Sequence, residues 1–288
     1  MRYTLLTLST LVFFSCQPGK KKQAETAAPP VVNTPLSYDL ANPTQRHKLP
    51  ADLREISGLS YYKSGRLACV QDELGVVFIY DLAKKAVTDE HVFGNNGDYE
   101  GVEYVDKKLY IMRSDGELYE MTPTDGVKTL GGSPEMKHIK IDLPGRNGSG
   151  KVDMEGLGYD PKLNALLLAT KDGKGSDKII YYYSLPNKAL FKGLVLKQAD
   201  IQAFGSSTKE FKPSGIAVHP NTRDYYVLSS AAHQLAILDP NGKVKSLVSL
   251  DKEALPQPEG ICFAPDGTLY IASEGDGKKG IILEFKAL

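Results

Sequence analysis

Three glutamates, Glu100, Glu155 and Glu259, each stand immediately before a glycine, and two serines, Ser57 and Ser214, hold the same place in otherwise similar segments. The segments read Glu55-Ile-Ser-Gly58, Asp98-Tyr-Glu-Gly101, Asp153-Met-Glu-Gly156, Lys212-Pro-Ser-Gly215 and Gln257-Pro-Glu-Gly260. A second acidic column stands three residues before the glycine, at Glu55, Asp98 and Asp153, with Lys212 and Gln257 completing it. Further acids, Asp72, Asp115, Asp172 and Glu274, close the apolar run that follows each of four of these segments. Carboxylates gathered in one place repel, and several stay protonated at neutral pH unless something offsets the charge. The sequence offers no clear cluster of lysine or arginine near them, so a hard divalent cation is the natural remedy. Calcium accepts six to eight oxygens in loose geometry, whereas magnesium demands an octahedron and keeps its waters. Taken singly, each acid is as readily a turn cap or an acceptor of backbone N–H groups.

Whether the columns meet depends on the elements that carry them. The glycines recur at intervals of roughly 45 to 60 residues, the signature of an array of equal supersecondary units. In every unit a near-continuous apolar strand follows the glycine segment, at 66–72, 108–115, 165–172, 224–230 and 268–274. Such runs mark strands covered on both faces. A third strand is expected at 76–80, 116–120, 179–183, 234–238 and 280–284, and fourth strands at 87–93, 127–130 and 244–250. Asp-Pro, Pro-Asn and Asp-Gly turns punctuate the series. Three to four short antiparallel strands per unit make a propeller blade, so the chain is read as all-β, a five-bladed β-propeller. The alternative is six blades with one degenerate, because the two longest intervals carry spare residues, and 188–206 is expected to include a short helix or excursion. A strand at 46–49 precedes the first unit and should complete the last blade. The innermost strand of each blade faces the central channel, which brings the acidic columns together there.

The N-terminus is a separate matter. Residues 1–16 carry Arg2, a short apolar run at 5–14 and then Ser15-Cys16. This is the layout of a secretory signal, and the run is too short to span a bilayer. A cysteine in that position is similar to a bacterial lipobox, with Cys16 lipidated; Phe13 departs from the commonest lipobox, and a plain signal peptide or an uncleaved anchor is the alternative. Residues 17–37 contain Lys20, Lys21, Lys22 and a proline pair with almost nothing to bury, so a disordered tether is expected. Residues 38–288, about 250 in all, suffice for one large all-β domain. The expected location is the bacterial envelope, lipid-anchored and on the periplasmic side.

Thirty-five basic and thirty-five acidic residues cancel. That balance argues against a nucleic-acid partner. Cys69 and Cys262 lie in apolar strands and are expected as buried thiols; ring closure makes them neighbours, so a disulfide is the minority alternative. Residues 145–151 fit G-x4-G-K, but Val152 replaces the Ser/Thr that would bind magnesium, and no helix follows. The segments 172–177 and 274–277 look calcium-like but lack EF-hand spacing and read as hairpin turns. The five histidines show no spacing to a nucleophile; of them His233 lies nearest a channel-facing strand end, where a turn role is expected.

The blade openings Arg54-Glu55-Ile-Ser-Gly58-Leu, Asp98-Tyr-Glu-Gly101-Val and Pro258-Glu259-Gly260-Ile resemble the SdiA-regulated domain family, the YjiK-like propellers, over about residues 48–286. That resemblance implies a five-bladed propeller, distantly similar to NHL-repeat proteins, with a bound calcium ion and no established biochemical role. With the resemblance added to the acidic columns, Glu100, Glu155 and Glu259 are the first ligand candidates, followed by Glu55, Asp98 and Asp153. The expected function is a monomeric calcium-binding scaffold for a protein or glycan partner. Tyrosine-rich stretches at 61–62, 181–183 and 225–226 could supply contacts, although their alternation within strands favours core packing. A calcium-dependent hydrolase of a lactone or phosphoester at the channel is the alternative; the missing Lys/Arg cluster weighs against a phosphoester.

Overall fold

The computed structural model describes residues 33–124, 136–144, 153–172, 177–205 and 210–288. Within them twenty strands form five four-stranded antiparallel sheets. Blade one holds β2 (Ile56–Lys63), β3 (Arg66–Gln71), β4 (Val76–Asp81) and β5 (Ala86–Val92). Blade two holds β6 (Tyr99–Val105), β7 (Lys108–Arg113), β8 (Leu118–Met121) and β9 (Lys137–Ile139). Blade three holds β10 (Asp153–Asp160), β11 (Ala165–Asp172), β12 (Lys178–Ser184) and β13 (Ala189–Leu196). Blade four holds β14 (Gly215–Val218), β15 (Tyr225–Ser229), β16 (Gln234–Leu238) and β17 (Val244–Ser249). Blade five holds β18 (Gln257–Phe263), β19 (Leu269–Glu274) and β20 (Ile281–Phe285), and its outer strand is β1 (Gln45–Lys48) from the other end of the fold. The β1–β20 pairing, with Arg46 opposite Leu283, closes the ring as the sequence predicts.

Among the described residues there are five blades and no sixth. The spare residues of the third interval go into β13 and a single helical turn, Gln198–Gln202. The fourth strand of blade two is Lys137–Ile139; the segment 127–130, where it was expected, lies outside the described residues, as do the signal segment with Cys16, residues 17–32 of the tether, residues 145–151 with the G-x4-G-K match and residues 173–176. Within the segment read as a tether, the Leu247 amide donates to Asn33 Oδ1 and the Thr34 amide to the Lys245 carbonyl. Among the described residues no helix is long and apolar enough to cross a membrane.

The core is divided into five inter-blade layers rather than one centre. Leu167, Ala169 and Ile180 of blade three pack on Ile216, Tyr225 and Val227 of blade four, and the same arrangement recurs around the ring. Each fully buried aliphatic or aromatic side chain contributes about 1.5–3 kcal/mol. Tyr62, Tyr181, Tyr183, Tyr225 and Tyr226 belong to these layers. Cys69 and Cys262 share the layer between blades one and five as free, buried thiols without a disulfide, and burial raises both thiol pKa values.

The repeat glycines are needed because adjacent inner strands nearly touch. A Cβ at Gly101 would stand 2.4 Å from the Cβ of Leu157 in the next blade, and one at Gly260 would stand 2.7 Å from the Cβ of Leu59.

Candidate functional site

The inner strands carry a register irregularity at the position before the repeat glycine. Tyr99 pairs with Arg113 and Gly101 with Met112, which leaves Glu100 unpaired; Met154 pairs with Thr170 and Gly156 with Ala169, which leaves Glu155 unpaired. Ser57 is passed over in the same way, and β18 shifts between Pro258 and Ile261, across Glu259. A bulge residue is released from alternation and can be re-aimed. Here the released side chains go to the channel. Where the residue is serine, its hydroxyl ties two blades: Ser57 Oγ donates to the Tyr99 carbonyl at 2.6 Å, and Ser214 Oγ to the Pro258 carbonyl at 2.7 Å. Where it is glutamate, the carboxyl lines the channel, so that Glu100, Glu155 and Glu259 converge on one small polar cavity with Ser57 and Ser214.

Burial, and then the charges of Glu155, Asp98 and Glu259, push the Glu100 carboxyl far above the usual carboxylate range, and a hydrogen bond with Asp98 adds to the shift. Burial also raises Glu259, with Glu155 and Glu274 adding to it against Lys171 and Ser230. One oxygen of Glu259, Oε2, is buried and has no hydrogen-bond partner. Burial raises Glu155 too, against the pull of Lys171, whose Nζ donates to Glu155 Oε1.

The remaining predicted residues divide. Asp98 joins the cluster through Glu100 and also accepts a hydrogen bond from Ser114 Oγ. The charge of Asp153 is felt by Glu155. Glu55 belongs to a neighbouring acidic group: Asp72 is pushed up to about 6 by burial and by Glu55, and Glu274 to about 7 by burial, Asp72 and Glu55. Asp115 and Asp172 are neutralised, by Arg113 at 2.6 Å and by Lys212 at 2.7 Å.

The expectation that no clear cluster of lysine or arginine lies near the acids is corrected here. Lys171 and Lys212 both line a cavity of about 320 Å3 at this mouth of the channel, beside Glu155, Glu259, Gln257 and His233. The physical cause lies in blade three: Asp153 pairs with Asp172 and Met154 with Thr170, so Lys171 is passed over in the register and turns toward Glu155. The signal was a column: the residues before the strand-closing position read Gln71, Ser114, Lys171, Ser229 and Ser273, with one cation among them. His233 sits in a turn at φ 51°, and its Nε2 donates to the Pro256 carbonyl at 2.7 Å.

The donor set suits a hard cation in chemistry, being oxygen-only, acidic and carrying an orphaned buried oxygen on Glu259. It is not a finished coordination shell: among the described residues no three of His, Cys, Asp or Glu are grouped to hold a metal ion.

Solved structures with this fold share little sequence with it. The glutaminyl cyclase of Myxococcus xanthus is 13% identical at a TM-score of 0.58, over 85% of this chain and 95% of that one. The PQQ-bound aldose sugar dehydrogenase of Streptomyces coelicolor is 11% identical at 0.55, over 86% and 98%. A luciferin-regenerating enzyme is 13% identical at 0.53, over 86% and 96%. At such identities the likeness shows the propeller fold alone. No curated protein matches the sequence. The family profile described as SdiA-regulated does match, over residues 40–276, which include every inner strand and the whole glutamate ring, and the chain belongs to that family.

Proposed function

We propose that this protein is a calcium-binding propeller, tethered to the bacterial envelope by lipid on Cys16 and presenting its loops to a protein or glycan partner from the periplasmic side. The observation that carries the calcium reading is the convergence of Glu100, Glu155 and Glu259 on one cavity that Lys171 only partly neutralises. Calcium would be held by these three carboxylates, with Asp98 and Asp153 beside them and Glu55 at the edge of the set. It would supply the missing positive charge and lock blades two, three and five to a common point. The deciding measurement is thermal melting of the metal-stripped protein with and without about 1 mM calcium. A site with Kd near 10 μM adds roughly 2.7 kcal/mol, or about 5–10 °C. Glu100→Gln should abolish the shift, and a wild-type protein that melts identically in both conditions removes calcium from this reading. Anchoring is tested separately, by incorporation of labelled palmitate that Cys16→Ser eliminates.

One observation favours a second reading, a calcium-dependent hydrolase of a lactone or phosphoester. The cavity over the glutamates is large enough for a small substrate, and Lys171 and Lys212 give it the anion-binding groups such a substrate needs. Bound calcium supplies polarisation of a substrate oxygen or of water. Within the protein, Lys212 would orient an anionic group and a raised carboxyl such as Glu259 would hold or accept a proton. Turnover in a lactone and phosphoester screen, lost in Glu155→Gln, would select this reading over the scaffold.

A further inference from the structure

The other end of the channel is built from different chemistry. Three residues after each repeat glycine the inner strands carry Tyr61, Tyr104, Tyr159, Val218 and Phe263, so four of five blades contribute an aromatic ring at this level. These side chains are half-buried and surround a second cavity of about 320 Å3 at the end of the channel away from the glutamates. Their orientations are fixed. The Tyr104 ring packs edge-on against Tyr62 at 4.5 Å, and Phe263 edge-on against Tyr226 at 5.0 Å. Tyr159 Oη donates to Asn164 Oδ1 at 3.1 Å, and Tyr61 Oη accepts the Gly65 amide at 3.3 Å.

One acid stands within this aromatic wall. Glu103 lines the cavity, and its Oε2 accepts a hydrogen bond from Ser60 Oγ at 2.8 Å. Burial pushes its carboxyl up to about 8, while Ser60 and the Tyr104 amide hold it back. No lysine or arginine is among the residues lining the cavity. The neighbouring acid Asp160 is already neutralised, by Arg223 at 3.1 Å and by the Tyr225 hydroxyl at 2.7 Å. Tyr159 feels the negative charges of Asp106, Asp160 and Glu103 together, and Cys262 that of Glu103. The cavity therefore combines aromatic rings from four blades with one carboxyl that has no cationic partner among the described residues and that burial keeps protonated near neutral pH. A metal ion would find too few oxygens, and an anion would find no cation. An alkylammonium group is attracted both to ring faces and to a carboxylate, and it tolerates an apolar wall.

We propose that this cavity at the far end of the channel binds an organic ammonium ion, caged by Tyr61, Tyr104, Tyr159 and Phe263, with Glu103 releasing its proton to solvent as the cation enters and becoming its counter-ion. The cation could belong to a quaternary ammonium compound or to a primary amine such as a lysyl side chain; both share the chemistry. The site lies apart from the glutamate ring, so this proposal and the calcium reading can each fail without the other.

Isothermal titration of the purified protein with choline, with butylammonium and with 3,3-dimethylbutan-1-ol, the neutral isostere of choline, tests the idea. At least one cation should bind about tenfold or more tightly than the neutral alcohol, and whichever cation is preferred identifies the source. Glu103→Gln, which keeps an acceptor for Ser60, should erase that preference. Tyr159→Leu, which keeps bulk but removes a π-face, should weaken the cation several-fold and leave the alcohol unchanged. Absence of saturable binding by either cation up to about 10 mM, equal affinity for the alcohol, or a preference intact in both variants would overturn the proposal.

Discussion

Lys171 Nζ donates to Glu155 Oε1 across the inner hairpin of blade three, and the pair is the one direct ammonium–carboxylate contact within the glutamate ring of the described residues. Lys171 also feels the charges of Glu259 and Glu100, so a single cation serves three carboxyls. It therefore stabilises the metal-free ring and competes with any cation that enters. Lys171→Met should lower the melting temperature of the metal-stripped protein by about 3–12 °C, the equivalent of one lost charged hydrogen bond of about 1.5–3 kcal/mol. The same substitution should tighten calcium binding, by about tenfold, in a titration followed by melting. Weaker calcium binding in Lys171→Met would mean that the lysine organises the ring rather than competing for it.

Stability should fall as pH rises from about 5 to 8. Asp72, Glu274 and Glu103 have folded-state values of about 6, 7 and 8, and Glu100 and Glu259 lie higher still than an ordinary carboxyl. In the unfolded chain these groups ionise near 4, so between the two limits the folded state holds more protons. Stability must then decrease with pH throughout that window, being fully present below about 4 and lost as each folded-state value is passed. This is the reverse of the trend for carboxylates held by salt bridges. Melting across pH 5–8 without metal should show a decline on the order of 5–10 °C, flattened by Glu103→Gln and by Glu274→Gln. A melting temperature that climbs over this range would mean that these carboxyls are ionised in the folded protein.

The blades and their closure could be read from sequence because each unit repeats both its apolar runs and its glycine, and glycine is required wherever inner strands meet as closely as Gly101 and Leu157. The glutamate column was equally visible, since a bulge falls at one fixed position in the unit and keeps Glu100, Glu155 and Glu259 in equivalent places. Lys171 was not. It sits in an otherwise apolar strand, and only the pairing of Asp153 with Asp172 makes it turn toward the channel. The sorting of Glu55 away from the ring depends on which blades lie side by side, and no spacing encodes that. The aromatic column at the other mouth was present at a constant offset, but alternation made Tyr61 look like its buried neighbour Tyr62.

Asp160 ties blade three to blade four, and its removal should cost more than any channel substitution. Its side chain is fully buried, accepts from Arg223 and the Tyr225 hydroxyl, and also receives the Lys162 amide at 2.8 Å. Deleting one partner of a buried pair leaves the other charge uncompensated, at about 3–5 kcal/mol. Asp160→Ala should therefore lower the melting temperature by about 6–20 °C. In a double-mutant cycle with Arg223→Met the two losses should be strongly non-additive; additive losses would mean that the carboxyl acts chiefly on its own hairpin turn.

The close approach of blades two and three at Gly101 predicts a positional contrast between glycines. At Gly101 a Cβ would stand 2.4 Å from the Cβ of Leu157 and 3.2 Å from its amide nitrogen, atoms that cannot rotate away. At Gly65 the backbone is left-handed, with φ +73°, but nothing lies within 4 Å. The first substitution forces blades two and three apart, and the second only strains a turn. Gly101→Ala should cost at least the 1–3 kcal/mol typical of overpacking, while Gly65→Ala should cost about 1 kcal/mol. Because Glu100 and Glu155 flank that contact, parting the blades also separates two of the three carboxyls. Gly101→Ala should thus weaken calcium binding, whereas Gly65→Ala leaves it unchanged. Equal calcium affinity in both variants would show that the ring of glutamates does not depend on how closely its strands pack.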